Sequence, residues 1–186
     1  MDSKQEGAPD SADLMALLSR IGEQARERRQ RIPLAMEGTG VWDGLAFSIA
    51  GVRLVSSMRE VREMTAFPSQ ITRVPGSTGW MKGLANIRGD LLPVVDLQEF
   101  FGAKTINRNK AARMLVVRSR GLECGLLVPS VQGIKYFDED MRMNNARMKG
   151  AIGRYVYEAF SVDGEVWPVF SMSGLTADPA FRSAAA

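Results

Sequence analysis

Two carboxylates six residues apart, Asp90 and Asp96, and the lysine of Gly76-Ser77-Thr78-Gly79-Trp80-Met81-Lys82-Gly83 are where this sequence comes nearest to catalysis. A phosphate-cradling loop needs a glycine directly before its lysine and a Ser or Thr after it, and here Met81 and Gly83 hold those places. Asp90 and Asp96 read as a turn residue and a strand end, with no second acid–base partner. The chain has no histidine, which removes the usual general base, the commonest metal ligand and the physiological pH switch. Its single cysteine, Cys124, excludes an internal disulfide and a cysteine zinc cluster, and reads as a small buried hydrophobe in a strand. The sequence reads as non-catalytic, without cofactor or metal.

Charge points to no polyanion. The net charge is only +3, and the excess is local: Lys104, Arg108, Lys110, Arg113, Arg118 and Arg120 occur with no acid among them. Such a run is by default a solvated loop and strand face. The alternative function is an OB-like or SH3-like barrel that binds nucleic acid through this basic face with Trp80 or Trp167. It lacks the regular interleaving of basic and aromatic residues such a groove uses. Met141, Met143 and Met148 read either as gap-fillers under a crossing segment or as an adaptable binding surface.

The elements that would position these residues are written twice. Phe47–Val55 followed by Val61–Phe67 and Asn86–Gly102 has its counterpart in Val116–Leu127, Val131–Phe137 and Phe160–Leu175. Gly51 and Gly121 stand 70 residues apart (121 − 51), as do Val61 and Val131, and Phe67 and Phe137. Gly89 and Gly164, and Pro93 and Pro168, stand 75 apart (164 − 89). Each copy predicts a hairpin, a crossing strand and a second hairpin, giving two small five-stranded β-barrels packed together in a mainly β fold. Ala50-Gly51, Gly89-Asp90 and Asp163-Gly164 supply turns. Pro93 within its strand predicts an edge or a bulge, and residues 79–87 read as a short helix.

The domain limits follow. Residues 1–40 are an extension and linker, 41–178 the double-barrel domain with repeats of about 41–102 and 111–176, and 179–186 a tail. Within the extension, Met1 to Asp10 read as disordered. A helix capped by Asp10 or Ser11 runs to about Arg31, before Pro33, with Leu14, Leu17, Leu18 and Ile21 as its apolar stripe. Gly38, Thr39 and Gly40 read as the linker. The polar N-terminus carries no signal segment and no apolar run reaches a membrane span, so the expected location is cytosolic.

The stretch from Trp80 to Gly102, with Trp-Met-Lys-Gly, Asn-Ile-Arg-Gly and Pro-Val-Val-Asp-Leu in that order, resembles the signature of the CheW-like coupling proteins of bacterial chemosensory arrays. The likeness extends more loosely from about Trp42 to Thr176. The N-terminal extension and the segment Tyr157–Phe170 resemble most the branch that serves type IV pilus (twitching motility) systems. The resemblance implies an adaptor without catalysis. It would bridge the cytoplasmic tips of chemoreceptors to the regulatory domain of a CheA-type histidine kinase, recruited to the inner-membrane face by the receptor array. Other CheW-like proteins, joined in rings, are further partners it implies.

The same resemblance implies the site. Arg88 is the motif arginine and Glu63 its partner on the facing strand, forming a partly buried pair on the receptor side, as a contact or as scaffold. Val61 and Val131 match positions near the receptor groove and are otherwise barrel core. Gly83 and Gly89 are expected to allow tight backbone geometry, and Asn86 to satisfy a backbone group. Three departures bear on partner preference. Pro129 and Ser130 interrupt a segment the family usually writes differently, Arg73 replaces a small residue, and Ser171 stands where the first copy has Asp96. The last predicts that any cap or charge pair made by Asp96 is missing from the second copy.

Overall fold

Residues 44–47, 94–97, 114–117 and 124–128 are each buried without a break. A strand covered on one face alternates buried and exposed side chains, so uninterrupted runs require strands covered on both. The structure, a computed structural model, describes residues 40–119 and 121–185 and supplies that arrangement. The expected N-terminal helix with its leucine stripe, the residues before Gly40, and Arg120 lie outside the described residues.

Among the described residues eleven strands follow one another: β1 (Val41–Ile49), β2 (Val52–Ser57), β3 (Val61–Ala66), β4 (Met81–Ile87), β5 (Asp90–Asp96), β6 (Arg113–Ser119), β7 (Leu122–Val128), β8 (Ser130–Asp138), β9 (Arg142–Asn144), β10 (Val156–Val162) and β11 (Glu165–Phe170). Three short helices are described: α1 (Leu97–Phe100), α2 (Met172–Ala177) and α3 (Pro179–Ala185). A 3-10 turn at Met58–Glu60 joins β2 to β3. The first sheet has the order β8-β1-β2-β11-β10-β9 and the second β3-β6-β7-β5-β4. The first therefore has six strands where five were expected, the extra one being the three-residue β9.

The copies are interleaved in space. The first copy gives its hairpin β1–β2 to one sheet and β3, β4 and β5 to the other, and the second copy does the reverse with β6–β7 and with β8, β10 and β11. Two repeats in sequence are thus not two modules in space. The pseudo-symmetry extends to single contacts. Val94 lies beside Gly125 in the parallel pairing of β5 with β7, and Val169 beside Val55 in that of β11 with β2.

These parallel contacts explain the prolines. Pro93 was expected to mark an edge or a bulge; β5 and its counterpart β11, which carries Pro168, are interior strands. The bulge lies in the antiparallel neighbour of each, between Met81 and Gly83 in β4 and between Val156 and Glu158 in β10. Each proline directly precedes the first residue paired across the parallel side, so the missing N–H costs no ladder bond there. Residues 79–87, read as a short helix, instead enter β4. Met81, Gly83 and Ala85 are buried and alternate with partly or fully exposed neighbours, a period of two. The second of the expected turns lies one residue earlier, at Arg88-Gly89, with Asp90 already in β5. It and Ala50-Gly51 and Asp163-Gly164 all have positive φ at both positions, the geometry that matches the twist of paired strands.

Alternation within the buried runs sorts three apolar clusters. Ala46, Val55, Phe137, Phe160, Trp167 and Val169 fill the first sheet, and Ala85, Leu92, Val94, Met114, Val116 and Leu127 the second. Their neighbours Leu45, Phe47, Leu54, Val95, Leu115, Val117 and Leu126 face the other way into one larger cluster shared by both sheets. Among the described residues no buried side-chain polar atom lacks a hydrogen-bond partner.

Candidate partner-binding surfaces

β3 and β4 are the outer strands of the second sheet, and among the described residues no backbone ladder joins them. Their far ends meet through side chains. Arg88, in the turn after β4, places its Nη2 3.3 Å from Glu63 Oε2 on β3. The pair expected from the motif is therefore present, and it is partly buried on the Glu63 side only, where the side chain is 22% exposed. Arg88 is 81% exposed, and such a pair contributes only about 0–1 kcal/mol to stability. A charged rim continues from it. Arg62 bonds Glu123 and lies 3.7 Å from Asp90, and Arg118 approaches Glu123 at 3.8 Å. Nothing in the sequence links Arg62 to Glu123, 61 residues away.

Beside this rim opens a cleft of about 500 Å³, with Ala66, Phe67, Leu84, Ile87 and Leu91 among its lining residues. Leu91 is 63% exposed, large for a leucine in a strand. Asn86 also lines the cleft, and its Oδ1 accepts the N–H of Gly89 at 2.9 Å, holding the turn that presents Arg88. Gly83 lies deeper. A Cβ there would sit 2.0 Å from the Thr72 carbonyl oxygen, and its φ of +134° already disfavours any other residue. Thr72 and Leu84 exchange two backbone hydrogen bonds of 2.8 Å, so the Thr72 segment covers the outer edge of β4. Val61 is buried in the shared cluster and Val131 packs partly against it; both stand behind the surface.

The opposite end of β4 begins at an aromatic pocket. Trp80 stacks on Phe181 at 5.9 Å, and Phe100 meets the same ring edge-on at 5.4 Å. Phe101 packs on Tyr155 at 5.7 Å. Trp80 and Tyr155 are repeat mates 75 residues apart (155 − 80): the Trp80 carbonyl accepts the N–H of Asp96, and that of Tyr155 the N–H of Ser171. Phe181 belongs to α3, in the segment read as a tail. Asp178 Oδ1 caps that helix at Ala180 N–H, 2.8 Å, while Oδ2 accepts the Tyr155 hydroxyl at 2.6 Å. The hydrogen bond from Tyr155 holds the Asp178 carboxyl below its ordinary range, and burial, then Asp178, pushes the Tyr155 phenol up. Asp178-Pro179 is itself a legible helix start, a capping aspartate before a proline at the first helical position.

Between these surfaces lie the structural carboxylates. Asp96 is fully buried; Oδ1 caps α1 at Glu99 N–H, and Oδ2 accepts both the Thr105 hydroxyl and the Ile106 N–H at 2.7 Å. Lys82 bonds Glu99 and lies 3.9 Å from Asp96, so the motif lysine serves ion pairs rather than a phosphate, and its hydrogen bond lowers the pKa of Glu99. The second copy keeps its cap, against expectation. Ser171 Oγ accepts the Gly174 N–H at 2.9 Å, and the missing carboxylate comes from Glu60, which accepts the N–H groups of Met172 and Ser173, each at 3.0 Å.

Among the described residues the basic run does not assemble a nucleic-acid groove. Arg108 and Arg113 donate to nearby backbone carbonyls, Arg118 faces Glu123, and Arg120 lies outside the described residues. Trp167 is 6% exposed, covered by Lys135 and Arg53 over its ring, and Trp80 is stacked under Phe181. Neither offers a free face to a base. Of the three methionines, Met148 packs against the shared cluster while Met141 and Met143 are exposed. Cys124 is buried, which pushes its thiol up to about 12. Among the described residues no His, Cys, Asp and Glu side chains gather as metal ligands, and no helix is long and apolar enough to cross a membrane.

Comparison with known proteins matches this fold and motif. The model of the CheW-like domain matches residues 43–180. Protein PilI of Pseudomonas aeruginosa is 32% identical over 170 residues, covering 91% of this chain and 94% of PilI. The chemotaxis protein CheW of Thermotoga maritima is 35% identical over 78 residues, 42% of this chain and 51% of that protein. Among solved structures, the scaffolding protein TtCheW of Thermoanaerobacter tengcongensis superposes with a TM-score of 0.65 at 22% identity, over 75% of this chain and 94% of that one.

Proposed function

This chain belongs to the CheW-like family, and from that premise we propose that it is a non-catalytic adaptor coupling chemoreceptors to a CheA-type histidine kinase in a pilus chemosensory system. The observation that carries the reading is the likeness to PilI along nearly the whole of both chains. In this reading the protein works in the cytoplasm and is held at the inner-membrane face by the receptors it binds. Its kinase contact pairs sheet against sheet with the kinase's regulatory domain, and further CheW-like proteins extend the assembly into rings.

The receptor contact uses β4 and what flanks it. A receptor tip offers an apolar helical face, and helix-in-groove binding needs an apolar trough with a polar rim. Trp80 and Arg88 stand at the two ends of β4, about 27 Å apart along an extended strand. An α-helix of about 18 residues has that length. Arg88 and Glu63 then contact the receptor directly at one end, Asn86 and Gly83 hold their backbone, and Val61 and Val131 support the sheets from within. Holding receptor and kinase in one fixed geometry lets receptor state bias kinase state.

The test is a calorimetric titration of the full chain with the kinase regulatory domain and with a receptor tip fragment, repeated with Arg88→Ala. Saturable binding to both partners, with a folded Arg88→Ala losing only the receptor, is the expected result. A folded protein that binds neither partner overturns the adaptor reading.

A further inference from the structure

α3 is attached to the rest of the protein by very little. Pro179, Ala180, Arg182 and Ser183 are exposed, and Phe181 alone of these described side chains is buried, at 0% exposure. By contrast α2, of similar length, buries Met172, Leu175 and Thr176. Besides Phe181, the strongest tie is the Asp178 carboxylate at the helix start, held by the Tyr155 hydroxyl. Phe181 itself is enclosed as a member of the cluster shared by both sheets, but the space beside it is not filled. Next to it a cavity of about 310 Å³ remains open, with Trp80, Phe100, Phe101, Tyr155, Arg154 and Asp178 among its lining residues.

We propose that α3 is a displaceable strap, and that Phe181 holds the place taken by an aromatic or large aliphatic side chain of the receptor helix when the strap swings out. The chain's own α3 shows what the pocket accepts: a helix presenting one apolar side chain between Trp80 and Phe100. The open volume beside it leaves room for a larger anchor or a second one from the same helix. The strap lowers receptor affinity by the factor that favours its seated state. Burial of one phenylalanine side chain sets that factor at roughly 10- to 150-fold. This inference rests on the adaptor reading for the identity of the occupant, though not for the motion of the strap.

Three measurements on the full chain test it. The first titrates a receptor tip fragment into the wild type, into Phe181→Ala and into a chain ending at Asp178, each checked by circular dichroism. Binding at least tenfold tighter in the folded variants is expected, whereas folded variants that bind the fragment as the wild type does, or more weakly, overturn the proposal. The second follows hydrogen exchange in the wild type. Amides of α3 exchanging far faster than those of β6 and β7 show the strap opening on its own; exchange at the rate of those core strands would overturn it. The third adds a peptide of residues 178–186 to the chain ending at Asp178. Saturable, reversible uptake supports an exchangeable helix site, and no uptake overturns it. If the receptor fragment binds none of the three proteins, the adaptor reading fails, while exchange and peptide uptake still decide whether α3 is a strap.

Discussion

The carboxylate of Glu60 receives the backbone N–H of Met172 at 3.0 Å, 112 residues further along the chain, and so caps a helix of the other repeat. The same side chain accepts the Ser173 N–H and the hydroxyl of buried Ser56. Glu60→Ala orphans all three donors and is expected to cost about 1–3 kcal/mol, read from the midpoint of urea denaturation. Glu60→Gln keeps an acceptor oxygen and should lose distinctly less. Equal losses in the two variants would mean the hydrogen bonds to this carboxylate contribute little.

Arg88→Ala should leave stability nearly unchanged. Its guanidinium lies in solvent, so the pair with Glu63 is worth about 0–1 kcal/mol, and its backbone turn is held independently by Asn86. A fall in stability of several kcal/mol would show that Arg88 supports the scaffold. Asn86→Ala, which releases the turn and keeps the charge, should weaken receptor binding less than Arg88→Ala if the guanidinium is the contact.

Gly83→Ala is expected to be among the most damaging single-methyl changes in the domain. The new Cβ meets the Thr72 carbonyl at 2.0 Å and the residue must still adopt φ +134°. Strain and overpacking together cost about 2–4 kcal/mol. Thermal denaturation checks it, with Gly89→Ala as comparison, where a Cβ would meet nothing within 4 Å.

The attachment of α3 should loosen at both extremes of pH. Asp178 has a folded pKa below its ordinary 3.8, so its stabilisation is complete above that value and is lost as pH falls through the lower, folded pKa. Tyr155 has a folded pKa above its ordinary 10.0; its stabilisation is complete below that value and is lost as pH rises past it. Hydrogen exchange of α3 at pH 7 and in acid reads the first limb. In Asp178→Asn that acid dependence should vanish, and its persistence would place the titrating group elsewhere.

The fold was legible because its information is local. The hairpin turns announce themselves through glycines at fixed offsets, and the uninterrupted apolar runs through composition. Pairing across the chain was not. That β2 lies beside β11 rests on a contact between Val55 and Val169, and no residue of either strand carries that choice in its own type. Residues 79–87 misled because Met, Lys, Leu and Ala favour helices; burial of Met81, Gly83 and Ala85 on one face overrode that preference. The motif led to Arg88 and Glu63 but not to the exposure of Arg88, since a motif names residues without fixing their depth. Glu60 was missed because its partners are backbone groups of a helix more than a hundred residues away, whereas Phe181 stood behind a readable helix start.

Interleaving also sets the order of events when the chain is made. The first sheet needs strands from Val41 to Phe170, so its earliest strand waits for 129 further residues (170 − 41). At typical synthesis rates that is roughly 6–26 s. Until β8 (Ser130–Asp138) is made the β1 edge has no partner, and the β2 edge waits longer still, for β11; such edges are templates on which other nascent chains can add strands. Completion of this sheet is therefore a late event, and exposure of the newborn chain to strand addition is set by its topology rather than by its finished stability.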